Sequence, residues 1–249
     1  MKKFLVFLSL FVVSASCFSQ IQHPIGKFSV QLKTGAAIPM GRFAHKSFSA
    51  SPHDTSGNAL TGFSADILVK YQLKKSFGIS LTIGGSINKQ DEAYLRDEVK
   101  KQGTDQMIVN VKAESWKVFK VMPGVYYSIP FSSSSKFEFT PMLSVGICKT
   151  SVPGFRYAYD SPSLPGPRGS FIKDKEKLPM TFCYDVSLAL SYKLSKKVYL
   201  LSDVNYFGAA PIMKYSYYPN WPELSNLTSA RKHYSLASLN LQLGVGVRF

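Results

Sequence analysis

His233 and Ser235 stand one residue apart at the start of an alternating apolar segment, so in an extended chain their side chains leave the backbone on the same side. A histidine beside a serine hydroxyl can take its proton and make it a nucleophile for acyl transfer. No acid follows in the segment to orient the imidazole, and the same two residues also suit the plain start of a strand. The other histidines, His23, His45 and His53, are scattered, with none at metal-ligand spacing, so neither a metal nor a cofactor is expected. His53-Asp54 suits a solvated loop. A second cluster of interest is Tyr215, Tyr217, Tyr218 and Trp221 with Lys214, Arg231 and Lys232 nearby. Aromatic rings beside cations can bind a glycan or a partner protein, or can pack on one another.

The elements that must carry these groups begin with an export signal. Lys2 and Lys3 precede an apolar run from Phe4 to Val13, and small residues follow up to Gln20, which reads as a cleavable signal peptide over 1–19. The run is about half the roughly 20 residues a transmembrane helix needs. Acylation at Cys17 is the second reading, because Ser14 stands where a bulky aliphatic residue is usual in lipoprotein leaders. Residues 20–249 suit one domain, and no later stretch approaches the length and apolarity of a membrane helix. The formal charge of +15 would suggest nucleic acid in a cytoplasmic protein. For an exported chain the counter-charges are lipid phosphates, acidic glycans or acidic proteins.

A period of two repeats eight times. From Phe182 to Leu194 every second residue is apolar, and Leu239, Leu241, Leu243, Val245, Val247 and Phe249 repeat the pattern at the end of the chain. Six more segments start near Phe28, Phe63, Phe77, Phe119, Phe137 and Val198. Pro123 and Pro141 each remove a ladder donor, and a local bulge or strand-end irregularity is expected there. The connections alternate. Lys74-Lys75-Ser76, Pro130 to Ser135 and Ser195-Lys196-Lys197 are short, while Pro39 to Gly62, Asn88 to Glu114, Cys148 to Pro179 and Phe207 to Tyr234 are long. Three short turns and four long loops fit an all-β, eight-stranded, antiparallel up-and-down barrel with both termini on one side.

A soluble barrel would show the same alternation with its apolar set turned inward. Here no apolar-face position is charged, while the opposite face carries Lys33, Asp66, Lys70, Lys120, Glu138, Asp185, Lys193, Asp203 and Arg248. Lysine or arginine at the midplane of a lipid face costs roughly 2–4 kcal/mol, which accounts for the exclusion. Phe28, Tyr71, Phe77, Tyr127, Phe137, Tyr192 and Phe249 gather near the short turns on the apolar face, as an interfacial girdle does. The barrel is therefore expected to be transmembrane. Cys148 and Cys183 share the polar-face parity beside one long loop, and the oxidising environment predicts a disulfide between them. Asp91 to Lys101 predicts a short helix capped by Asp91 and stopped by Gly103.

The terminal Gly244-Val245-Gly246-Val247-Arg248-Phe249 resembles the closing strand of outer-membrane barrels. The run Gly35 to Phe43, followed by Thr61-Gly62-Phe63 and the paired Lys-Lys turns, resembles the small porin-like outer-membrane barrels of Bacteroidota, similar in shape to OmpA- and OmpX-type barrels. The resemblance implies a Gram-negative cell outer membrane location, contact with outer-membrane lipid and lipopolysaccharide, and recognition of Phe249 by the barrel-assembly machinery. It implies fold rather than activity. His233-Tyr234-Ser235 is also similar to the His-x-Ser of outer-membrane lipid A deacylases, although their following asparagine is here Leu236.

Three functions are compatible with these residues. The preferred one is a non-enzymatic structural or binding module acting through four long external loops on an extracellular glycan or protein ligand. The alternatives are a lipid A-modifying enzyme using His233 and Ser235, and a small pore through the charged lumen. Eight strands leave an interior only wide enough for side chains, so mutual pairing of the five inward cations and four inward anions is expected over an open pore.

Overall fold

The computed structural model describes residues 27–47, 56–74, 76–102, 108–131, 136–160, 169–173, 176–217 and 228–249. The expected leader and His53 lie outside them. The strands are β1 (Phe28–Pro39), β2 (Gly62–Gln72), β3 (Phe77–Lys89), β4 (Ile108–Ala113), β5 (Ser115–Tyr127), β6 (Ile129–Pro130), β7 (Phe137–Val152) and β8 (Phe155–Asp160). They continue with β9 (Gly169–Lys173), β10 (Glu176–Lys177), β11 (Thr181–Lys193), β12 (Val198–Ala209), β13 (Ile212–Tyr217), β14 (Thr228–His233) and β15 (Leu236–Arg248). The α-helix among the described residues, α1, spans Glu92–Gln102.

Eight of these strands are staves of a closed antiparallel barrel in the order β1, β2, β3, β5, β7, β11, β12, β15, with β15 returning to β1. The register is continuous around it. Phe28 pairs with Tyr71, which pairs with Ile79, then Val125, Leu143, Val186, Tyr206 and Leu239, and Leu239 pairs with Ile38. The circuit leaves β1 at Phe28 and returns at Ile38, so the staves are staggered and must tilt, typically by 35–45° in such barrels. Every residue on that circuit belongs to the apolar face, so a single register satisfies all eight alternations.

The bulge or strand-end irregularity expected at Pro123 and Pro141 takes the form of gaps in the ladder, without a bulge. β5 and β7 lose their pairing at two places, between Val121↔Ile147 and Gly124↔Ser144 and between Tyr126↔Met142 and Ile129↔Phe139, yet the offset is the same on both sides of each gap. Each proline lacks the N–H that would have bridged its gap. The ladder opens locally instead of shifting, because a one-residue slip would turn the rest of the strand inside out.

The expected disulfide is also not formed. Cys148 and Cys183 are free, buried thiols. Cys148 lies opposite Thr181, and Cys183 opposite Gly146, so the two are diagonal neighbours whose thiols touch in a side-chain hydrogen bond with no S–S bond between them.

Candidate functional site

Alternation in the sequence becomes an inside and an outside in the barrel. Leu32, Ile67, Leu81, Leu143, Leu188 and Leu243 are exposed, whereas Lys33, Asp66, Thr82, Ser144, Ser187 and Gln242 are buried. This is the inverse of a water-soluble barrel, and an exterior of this kind suits hydrocarbon. Rings mark both rims. Phe28 and Phe249 meet at 5.9 Å and Phe137 and Tyr192 at 4.9 Å near the short turns, while Tyr184 and Tyr206 meet at 6.2 Å toward the long loops.

The lumen is built in layers. At mid-height Lys120 Nζ stands 3.4 Å from Asp66 Oδ2 and 3.2 Å from Asp185 Oδ2. Lys33 pairs with Asp203, whose other oxygen accepts from Ser187 at 2.7 Å. Gln242 Nε2 donates to Asp66 at 2.9 Å and to Ser64 at 3.0 Å, and Asn240 and Asn205 continue the chain of amides. Staves that are not neighbours are thereby tied through the interior, which is what unpaired lumen charge demands.

Above this layer, toward the long loops, the lumen turns apolar. Trp116, Phe43, Phe207, Tyr234 and Leu236 pack there in one buried cluster with both cysteines, and Met122 extends the cluster down past Lys120 on β5. Trp116 meets Phe43 at 5.4 Å and Tyr234 at 5.6 Å, and its indole N–H donates to Gly57 O at 2.8 Å. A Cβ at Gly57 would stand 2.2 Å from Phe43 O, so only glycine lets the first long loop fold in against the plug. The sequence hid this plug because Trp116, Met122 and Phe207 fall on polar-face parity and look like faults in the alternation. Their signal was size on the wrong face.

The long loops carry structure of their own. α1 is capped as expected: Asp91 Oδ1 accepts from Tyr94 N–H at 3.0 Å, and Lys46 Nζ lies 2.7 Å from Asp91 Oδ2. Burial pushes the Asp91 carboxyl up, but the Lys46 ammonium and the backbone N–H groups of Tyr94 and Ala93 outweigh it and hold the group below its ordinary value. Gly103 lies outside the described residues. β4, β8 and β9 form a three-stranded sheet from the second and third loops, and β13 and β14 form a hairpin in the fourth. The sequence-based expectation for these segments is loop, although Val109-Asn110-Val111-Lys112 and Tyr215-Ser216-Tyr217 alternate; their shortness makes the period weak.

Two cation pairs stand in this crown. Lys112 is directly opposite Arg156 in the β4–β8 pair, both exposed, and Lys214 is opposite Arg231 in the β13–β14 hairpin. Of the four aromatic candidates, Tyr215 and Tyr217 lie on β13, opposite Ala230 and Thr228, and Tyr218 and Trp221 lie outside the described residues.

No family model matches this sequence, and neither does any curated protein. Solved structures do resemble it. Outer membrane protein OprG from Pseudomonas aeruginosa has a TM-score of 0.49 at 14% identity, over 91% of this chain and 97% of that one. Neisserial surface protein A has a TM-score of 0.44 at 15% identity, over 91% of this chain and 100% of that one. Outer Membrane Protein W of E. coli has a TM-score of 0.37 at 15% identity, over 92% of this chain and 100% of that one.

His233 closes β14 opposite Ile212, and Ser235 lies in the link to β15. Ser235 lines an outer groove of about 590 Å³ with Phe182, Tyr184, Tyr206 and Ile212, on the lipid side as its parity implies. Among the described residues neither a carboxylate nor the Ser235 hydroxyl is hydrogen-bonded to the His233 ring. His233 is not among the residues lining that groove, and the contact that would activate the serine is not made.

Proposed function

We propose that this chain is an outer-membrane barrel that acts without catalysis, as a cell-surface module whose long-loop crown binds polyanionic glycan, lipopolysaccharide included. The apolar exterior around a charged, buried interior supports the membrane location. The observation that carries the binding reading is the pair of exposed cations set opposite each other in the β4–β8 ladder, Lys112 and Arg156. Like charges directly opposite across two strands are destabilising, and a phosphate or sulfate lying between them removes that repulsion while gaining charge-assisted hydrogen bonds. The plug and the ion-pair layer beneath it favour a role at the crown over one through the lumen.

The test is a titration of the barrel in nanodiscs with purified lipopolysaccharide and with a heparin fragment, at low and high salt. Binding is expected to be saturable, to weaken with salt, and to fall about tenfold, the equivalent of roughly 1.4 kcal/mol, in the Lys112→Ser/Arg156→Ser double variant. Salt-independent binding, or binding that the double variant leaves intact, removes the proposal. Discrete conductance steps in planar bilayers would favour the pore instead.

A further inference from the structure

At the short-turn end of the lumen, the mouth opposite the crown, four cations and one carboxylate line a cavity of about 200 Å³: Lys27, Lys70, Lys193 and Arg248 with Glu138. Glu138 is shared between Arg248 at 3.4 Å and Lys193 at 3.9 Å. Lys70 is buried, 6% exposed, and among the described residues no carboxylate stands within ion-pair distance of it. Its ammonium lies over the Tyr126 ring, 4.8 Å from the centroid. The mid-height layer sets Lys33 and Lys120 against Asp66, Asp185 and Asp203, so the positive excess of the lumen is concentrated at this one end.

The walls of the cavity are held in place. Tyr126 lies so close over Gly78 that a Cβ there would stand 2.5 Å from its ring, and Tyr199 lies over Gly246 at 2.3 Å by the same measure. Tyr199 also accepts a hydrogen bond from Gln31 Nε2 at 2.9 Å, and Arg248 stacks on its ring at 5.7 Å. Four serines contribute hydroxyls to the same space. A buried ammonium whose nearest carboxylate, Glu138, is already shared by two other cations is costly unless a further counter-charge reaches it, and fixed walls with several donors and one spare cation are what an oxyanion needs. At about 30 Å³ per water the cavity has room for a tetrahedral oxyanion and several waters.

We infer that this vestibule is a binding site for a phosphate group, free or carried by a small phosphomonoester. The cations that converge on it come from three staves, β2, β11 and β15, and from Lys27 just ahead of β1. A ligand here would neutralise Lys70, which among the described residues has no carboxylate in ion-pair contact, and would stabilise the end of the barrel where β1 starts and β15 ends. The site stands apart from the crown, so either proposal can fail without the other.

The experiment is calorimetric titration of the refolded barrel in zwitterionic detergent with inorganic phosphate, with glycerol phosphate, and with chloride as control. Saturable phosphate binding that chloride does not match is expected, weakened by about tenfold in Lys70→Met. Folding of each variant is read from heat-modifiable gel mobility. Should Lys70→Met not fold, the Lys27→Gln/Lys193→Gln double variant at the rim serves in its place, with the same direction expected. Glycerol phosphate binding as well as phosphate assigns the site to phosphomonoesters, and phosphate alone assigns it to the free anion. Absence of saturable phosphate binding, equal binding of chloride, or a folded Lys70→Met that binds phosphate as the wild type does would each overturn the inference.

Discussion

Lys120 Nζ on β5 lies 3.2 Å from Asp185 Oδ2 on β11, across the lumen and past the intervening stave β7. Both are buried, and Asp66 on β2 shares the lysine. Lys120→Met leaves two carboxylates facing an uncompensated space, and a loss of about 3–5 kcal/mol is expected. The Lys120→Met/Asp185→Leu double variant should recover part of it, since removing both partners is far milder than removing one. Urea unfolding in detergent micelles checks both. A single variant within about 1 kcal/mol of wild type would show that the pair lies in water instead of a sealed layer.

The free state of Cys148 and Cys183 predicts two thiols rather than a bridge. Maleimide added without reductant is expected to label neither in the folded barrel, where both are buried, and both once the chain is denatured. Denatured protein that takes up label at these positions only after reduction would restore the disulfide.

The two proline gaps fall on a single seam, β5 against β7. Each missing ladder bond is worth about 1 kcal/mol net, so this seam is expected to open before the other seven. Amides of β5 and β7 that face each other should exchange with deuterium faster than those pairing β12 with β15, where the register is unbroken. Equal protection of the two seams would contradict this.

Asp91 ties pH to the crown. Its carboxyl is held below its ordinary value in the folded protein, so the charged cap contributes stability that is fully present above the unfolded value, near 3.9, and is lost as pH falls through the lower folded one. Protection of the Tyr94 and Leu95 amides should therefore drop on acidification below about pH 4. Asp91→Asn retains a good cap residue but not the charge, and its protection should be flat over the same range. Identical profiles for the two proteins would remove Asp91 as the cause.

Much of this architecture is legible residue by residue. Eight alternating segments, the exclusion of charge from one face and the short-long rhythm of connections each follow from a period of two beside a lipid phase, and they recur in the barrel without a change of register. The cap at Asp91 was equally readable, because capping depends only on local chain. The short crown strands were not: β13 and β8 are six residues each, too short for a period to stand out from loop composition.

What the sequence by itself determined is which side chains face lipid and which face inward, because the pleat makes that choice locally, one residue at a time. What only the tertiary structure decided is which inward groups meet. The stagger of the closed barrel sets Cys148 diagonal to Cys183, brings Lys120 between Asp66 and Asp185, folds Phe43 from the first loop onto Trp116, and leaves Lys70 over Tyr126 with no carboxylate in ion-pair contact among the described residues. Those meetings depend on offsets between strands far apart in the chain, fixed by closure and by the fit of rings against glycines, and no local pattern encodes them.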